Sequence, residues 1–206
     1  MIIFDIGASS GINILKWYNT INTFYCFEPC KENYCKLMEN LGNYKNVKIH
    51  SEAISNSNEI KLFNQANYTN SSSLLPFTEN TKLWNNPGNN PELKTISQYP
   101  VHCIRLIDFV KEHNIKLIDF LKIDTQGHDF EVIKSLDDFI FNVKELVCEV
   151  QTVDYELYKN SSSKKDLVDY MEKKNFSIYK IQKWSHDQEE NIWFINNKYS
   201  NYLHLE

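Results

Sequence analysis

Residues Ile2 to Pro29 read "IIFDIGASSGINILKWYNTINTFYCFEP". The first six, "IIFDIG", form a short apolar run of the kind a buried strand carries, and they pass directly into the turn "GASSG". "INILKWYNTI" follows with apolar residues at helical spacing. "TFYCFEP" (Thr23–Pro29) is then a second strand, ended by Pro29, because proline cannot continue a central strand. Strand, tight turn, helix and strand in that order make one parallel crossover unit.

The turn itself points to a ligand. In an open parallel sheet, ligands sit beyond the carboxyl ends of the strands, near the point where strand order reverses. Gly7 and Gly11, with Ala8 and Ser9 between them, let the backbone approach a bound molecule, and amides at the start of the next helix face it. Glu28 ends the second strand about twenty residues later, where a carboxylate can accept hydrogen bonds from the two hydroxyls of a ribose. The plain alternative is that both glycines only tighten the turn and Glu28 is solvated. A dinucleotide site needs G-x-G-x-x-G. Here Ser9 stands at the second glycine, the spacing is G-x-x-x-G, and Asp5 precedes it. An acid there disfavours pyrophosphate and suits a ligand with an amino group. A ribose, an ammonium and a sulfonium occur together in S-adenosylmethionine, which is the expected cofactor.

The same alternation continues outward. "KENYCKLMENLG" is an amphipathic helix closed by Gly42. "NVKIHSEAI" and "EIKLF" are a third and a fourth strand. From Asn64 to Pro100 the pattern dissolves into Asn, Ser, Pro and Gly with interspersed aromatics, and a stretch of this length inside a domain reads as a functional insert. "VHCIRL", the helix "IDFVKEHN", the strand "IDFLKID", the helix "DFEVIKSL", the strand "KELVCEV" and the helix "KKDLVDYMEKKN" restore order. "FSIYKIQ" and "NIWFIN" close the chain; their short polar link requires an antiparallel pair. The expectation is a single α/β domain over residues 1–206. Its sheet is mostly parallel with an antiparallel final strand and has helices on both faces.

Composition narrows the partners. The 206 residues carry a net charge of −5, and no Lys/Arg run forms a stripe, so a nucleic-acid partner is not expected. No segment reaches the length of a membrane span, and no basic-then-apolar signal opens the chain. Five cysteines without C-x-x-C spacing read as reduced thiols and suggest the cytoplasm.

The second informative stretch is "DFLKIDTQGHDFEVI" (Asp119–Ile133), where a core strand carries a lysine and ends in charge. A methyl donor such as S-adenosylmethionine needs an aligned acceptor, and an acceptor that carries a proton needs a sink for it. Asp124 at the strand end is placed to orient the acceptor, to stabilise the sulfonium side of the cofactor or to act as base, and His128 after Gly127 is the other candidate base. A helix cap and a surface histidine are the plain alternatives. Lys122 shares a face with Asp124 by alternation, so an internal ion pair is favoured over a proton acceptor. Asp129 reads as the cap of the following helix.

The stretches "FDIGASSG", "FYCFEPCKENYCKLMENL", "AISNSN", "SSSLL", "LKIDTQGHDFEVIKSL" and "CEV" together resemble the FkbM family of S-adenosylmethionine-dependent methyltransferases, from about Ile2 to Val150. The resemblance implies a class I, Rossmann-like methyltransferase fold. The implied reaction is methyl transfer, typically to a hydroxyl of a sugar or of a glycosylated or polyketide natural product. Carried over motif by motif, Asp5, Gly7 and Gly11 match the cofactor loop and Glu28 the ribose acid. Ala53 matches the position flanking the adenine. Ser72 and Ser73 match the serine motif, and Asp124, Gly127 and His128 the reaction centre. Family members commonly carry chain before the first strand that helps cover the cofactor, and this sequence opens at the strand itself.

Residues 64–100 are the expected lid and acceptor site, with Trp84 as a stacking candidate, since aromatic rings and amides together suit a sugar. Glu149, Trp184 and His186 are further acceptor-side candidates. Carboxylates at Asp124 and Glu149 could hold Mg²⁺, but the spacing requires no metal and none is expected. The competing readings are a methyltransferase of a protein or lipid acceptor, and a non-catalytic nucleoside-binding module of a larger enzyme.

Overall fold

The computed structural model describes residues 1–17, 19–83, 92–184 and 188–202. In chain order its elements are β1 (Ile2–Ile6), α1 (Ile12–Trp17), β2 (Thr23–Phe27), α2 (Lys31–Leu41), β3 (Val47–His50), β4 (Ala53–Ile54), β5 (Glu59–Ala66), β6 (Thr95–Ile104), α3 (Leu106–Glu112), β7 (Ile118–Ile123), α4 (Asp129–Lys134), β8 (Val143–Gln151), α5 (Lys164–Lys173), β9 (Phe176–Lys183) and β10 (Glu189–Asn196). Seven strands form the main sheet in the order β3-β2-β1-β7-β8-β10-β9. The five strands β3, β2, β1, β7 and β8 pair in parallel, whereas β10 runs antiparallel to both of its neighbours.

Alternation along the strands divides the core. Phe4, Ile6, Leu121, Ile123 and Leu146 point to one face, where Phe109 and Val110 of α3, Val132 and Ile133 of α4, and Leu167 and Met171 of α5 cover them. Ile3, Phe24, Cys26 and Phe120 point to the other face, against Ile14 of α1 and Leu37 and Leu41 of α2. Burying a side chain of this size is worth roughly 1.5–3 kcal/mol, so this two-sided packing holds β1 and β7 in the middle of the molecule. Among the described residues no helix is long and apolar enough to cross a membrane.

The final strand is the reversed one, as the short link requires, but it lies inside the sheet. β10 is buried along most of its length and β9 forms the exposed edge. Three other expectations are corrected. "NVKIHSEAI" breaks at Ser51-Glu52 into β3 in the main sheet and β4 in a second, three-stranded sheet of order β4-β6-β5. Part of the Asn64–Pro100 stretch is regular: β5 reaches Ala66, and β6 begins at Thr95 and pairs antiparallel with β5 along its length. β6 is exposed over most of its first half, so it lacks the apolar alternation that would announce a strand. Finally, α1 stops at Trp17, and the Asn19 side chain accepts from the amides of Ile21 and Asn22, which turns the chain into β2.

Candidate active site

β1 is the switch point of the sheet, because its neighbours β2 and β7 lead away in opposite directions. A cavity of about 250 Å³ opens at the carboxyl ends of these three strands, floored by the loop after β1 and by the segment that follows β7.

The loop after β1 is shaped by close backbone contact. Gly7 has φ 79°, and a Cβ there would stand 1.9 Å from the Asp124 carbonyl oxygen. The amides of Gly7 and Ala8 both donate to the Phe27 carbonyl, at 2.9 and 3.0 Å. The Ser9 amide donates to Glu28 Oε2 at 2.7 Å, and the Cys30 amide donates to Oε1 at 2.8 Å. Burial pushes Glu28 up to about 7, against the pull of those two amides. Gly7, Ala8, Ser9, Glu28 and Pro29 all line the cavity. Gly11 does not. It packs under α2, where a Cβ would meet the Leu37 and Leu41 methyls at 2.6 Å.

Asp5 differs from its expected place. The carboxylate is fully buried on the face opposite Phe4 and lies outside the cavity lining. The register sets Asp5 beside Lys122, and Lys122 Nζ stands 3.0 Å from Asp5 Oδ1 and 3.5 Å from Asp124 Oδ2. Lys122 therefore separates Asp5 from the cavity, which it lines itself. Burial disfavours the ammonium, but Asp5 and Asp124 outweigh it and hold Lys122 protonated. The lysine in the core strand is thus an ion-paired floor for the cleft.

After β7 the chain passes through Gln126 and Gly127, at φ 57° and 86°. Asp124 lines the cavity with 35% of its side chain exposed. His128 also lines it, and its Nε2 is 3.0 Å from Ser55 Oγ. Burial, with the Lys61 and Lys134 charges, lowers His128 to about 4, so the ring is neutral near pH 7. Asp129 does not cap α4. Its carboxylate accepts from the Thr125 amide and hydroxyl, at 3.3 and 3.2 Å, and so closes the loop before the helix.

The second sheet brings the serine motif to the same cleft. Ser72 lines the cavity and accepts from the Ala66 amide, while Ser73 Oγ donates to the Gln126 carbonyl at 2.8 Å and stands behind the wall. Ala53 lines the cavity as expected, and so do Glu52, Thr69, Asn70 and Gln126, which the sequence reading passed over. Glu52 had a signal, as the residue before Ala53; Thr69 and Asn70 had none in a polar insert. Glu149 lies beyond Gln126, outside the main cavity, and its Oε1 accepts from the indole Nε1 of Trp184 at 2.8 Å. Trp84 and His186 lie outside the described residues. Among the described residues no three His, Cys, Asp or Glu side chains gather closely enough to hold a metal ion.

Comparison with known proteins extends this geometry. The fibrillarin of Aeropyrum pernix in complex with natively bound S-adenosyl-L-methionine has a similar fold, with a TM-score of 0.53 and 10% identity over 94% of this chain and 65% of that one. This chain thus spans slightly less than two thirds of that protein's length. A fibrillarin/Nop5p complex gives a TM-score of 0.50 and 15% identity over 95% of this chain and 72% of that one. At such identities the likeness is one of fold. No curated protein matches the sequence. The family model described as the Methyltransferase FkbM domain matches residues 5–178. That match runs from the acid of β1 into β9, and the chain belongs to the FkbM family of S-adenosylmethionine-dependent methyltransferases.

Proposed function

We propose that the protein transfers a methyl group to a hydroxyl oxygen of a sugar, a glycoconjugate or a related natural product. The cleft suits the cofactor. Glu28, fixed by two amides, presents its carboxylate to ribose hydroxyls. Ile54, Phe63 and Leu74 supply an apolar wall for a flat base beside Glu52 and Ala53. The missing Cβ of Gly7 lets the end of β7 close against the loop and bring Asp124 to the cleft. When bound there, S-adenosylmethionine supplies an electrophilic methyl carbon on a sulfonium.

The chain's own task is to align the acceptor oxygen and take its proton. Asp124 is the residue for this, by comparison with its neighbours. Lys122 keeps its proton and has none to accept. His128 Nε2 is already engaged by Ser55 Oγ, which also accepts from Lys61 Nζ at 2.9 Å. Its Nδ1 is buried without a hydrogen-bond partner, so it is not open to an acceptor in the cleft. Asp124 has a carboxylate that lines the cavity with 35% of its side chain exposed, and that observation carries the proposal.

Residues 64–100 belong to the same catalytic domain, which we take to span 1–206, and serve as lid and acceptor wall. Contacts with the cofactor loop and with α2 support this: Ser9 Oγ donates to Asn70 Oδ1 at 2.7 Å, and Asn33 Nδ2 of α2 donates to the Thr69 carbonyl at 3.3 Å. The Trp184 ring, 41% exposed, offers a face for a sugar. All five cysteines are free and four are buried, in keeping with a reducing cytoplasm.

The test pairs calorimetry with mass spectrometry. Asp124→Asn should bind S-adenosylmethionine within about threefold of wild type, yet add no methyl group to a glycan panel that wild type modifies. Normal turnover in that variant removes Asp124 from the mechanism.

A further inference from the structure

We propose that Gln126 is a positioning residue: its side-chain amide fixes the Asp124 carboxylate toward the acceptor and links it, through Glu149, to Trp184. The proposal rests on the reading of Asp124 as proton acceptor. Gln126 Nε2 donates to Asp124 Oδ1 and to Glu149 Oε2, at 2.9 Å each, so both of its protons are committed. Two flanking carboxylates leave only one orientation for the amide. Its Oε1 then accepts from the Tyr158 hydroxyl at 2.7 Å, and the buried Tyr158 also reaches the Ser71 carbonyl at 3.0 Å. Glu149 passes the contact on, because Oε1 accepts from Trp184 Nε1.

The backbone of Gln126 is equally determined. Its φ of 57° is left-handed, Ser73 Oγ donates to its carbonyl, and a Cβ on Gly127 would touch the Tyr158 ring at 3.0 Å. The amide has a charge problem to solve. Asp124 and Glu149 would repel one another, and Lys122, 3.5 Å from Asp124 Oδ2, pulls that carboxylate toward the floor of the cleft. The neutral donor on Oδ1 opposes this pull, so Asp124 keeps one oxygen directed into the cavity. Loss of the donor frees Asp124 to close on Lys122.

The test uses the whole protein and the indole NMR signal of Trp184, assigned with Trp184→Phe, as a reporter of Glu149. The ionisable groups facing Glu149 are Lys122 on β7, Asp124 after it, Asp129 at the start of α4, Cys148 on β8, Tyr158 after β8 and Glu189 on β10. Gln126→Glu keeps the shape and replaces a donor by an acceptor, so the titration midpoint of the signal should rise by about one pH unit. Tyr158→Phe, which removes the donor to Gln126 Oε1 and so loosens the amide between its two carboxylates, should give a smaller rise. Curves superimposable on wild type in both variants overturn the proposal. Against the glycan that wild type methylates, Gln126→Glu should lower kcat about 10- to 100-fold, with cofactor affinity within about threefold. An unchanged kcat also overturns it. Turnover by Asp124→Asn, in contrast, overturns the parent reading whatever Gln126 does.

Discussion

Replacing Gly7 with alanine places a methyl carbon 1.9 Å from the carbonyl oxygen of Asp124 and 2.8 Å from its carbonyl carbon. Both are backbone atoms, so no side chain can swing aside. The end of β7 must retreat by roughly 1.5 Å before the contact becomes ordinary. That retreat breaks the hydrogen bond from the Asp124 amide to the Ile6 carbonyl, 2.9 Å long, which is worth about 1 kcal/mol. A left-handed φ adds about 1–2 kcal/mol for any residue with a Cβ, and displaced packing beside it costs typically 1–3 kcal/mol. The expected loss is about 3–6 kcal/mol, in the range reserved for substitutions with a named cause. Gly11→Ala is the control. Its φ is the same within a degree, but its Cβ would meet only the methyl ends of Leu37 and Leu41, which can turn, so about 2 kcal/mol is expected. Urea unfolding of both variants gives the comparison, and cofactor calorimetry should show at least a tenfold weaker affinity for Gly7→Ala only. A loss below about 1 kcal/mol at Gly7, or one no larger than at Gly11, refutes the close approach of the two strand ends.

Two further outcomes follow from buried charge. Lys122→Met leaves the fully buried Asp5 without its ammonium partner and should cost about 3–5 kcal/mol in urea unfolding. Adding Asp5→Asn should restore most of that, and a single variant as stable as wild type contradicts the pair. His128, lowered to about 4 from an ordinary 6.5, is neutral in the folded protein where the unfolded chain is already charged. Its stabilising contribution is whole above pH 6.5 and is lost as the pH falls toward 4. Wild type should therefore lose about 3 kcal/mol relative to His128→Gln over that window. A pH-independent difference between the two proteins rules out burial of a neutral ring.

The sequence made the central strands legible because they are buried on both faces. β1, β2 and β7 are mostly apolar runs, and each passes directly into the group that matters: Gly7, Glu28 or Asp124. Glu28 could be read from its spacing to the glycine loop alone. Register could not. Alternation puts Asp5 and Lys122 on one face of their own strands, but nothing local says that the two strands lie side by side with these residues paired. The amino-group role expected of Asp5 therefore gave way to an ion pair. β6 stayed hidden for another reason: its stability comes from the ladder with β5, which leaves most of its side chains in water and free of pattern. Gln126 carries no charge and no helical or strand period, and its importance is visible only once two carboxylates are seen on either side of it.

The place of β10 has a consequence for how the protein is made. During synthesis β8 emerges before its right-hand partner exists, and β9 follows with no strand to join. Only when Glu189–Asn196 leave the ribosome does one segment zip both together. Until then the nascent chain shows a nine-residue, pair-hungry rim along β8, the kind of surface that recruits other chains. The last strand is the clasp of the fold, and a translation stall just before it would leave the half-made enzyme most prone to aggregate.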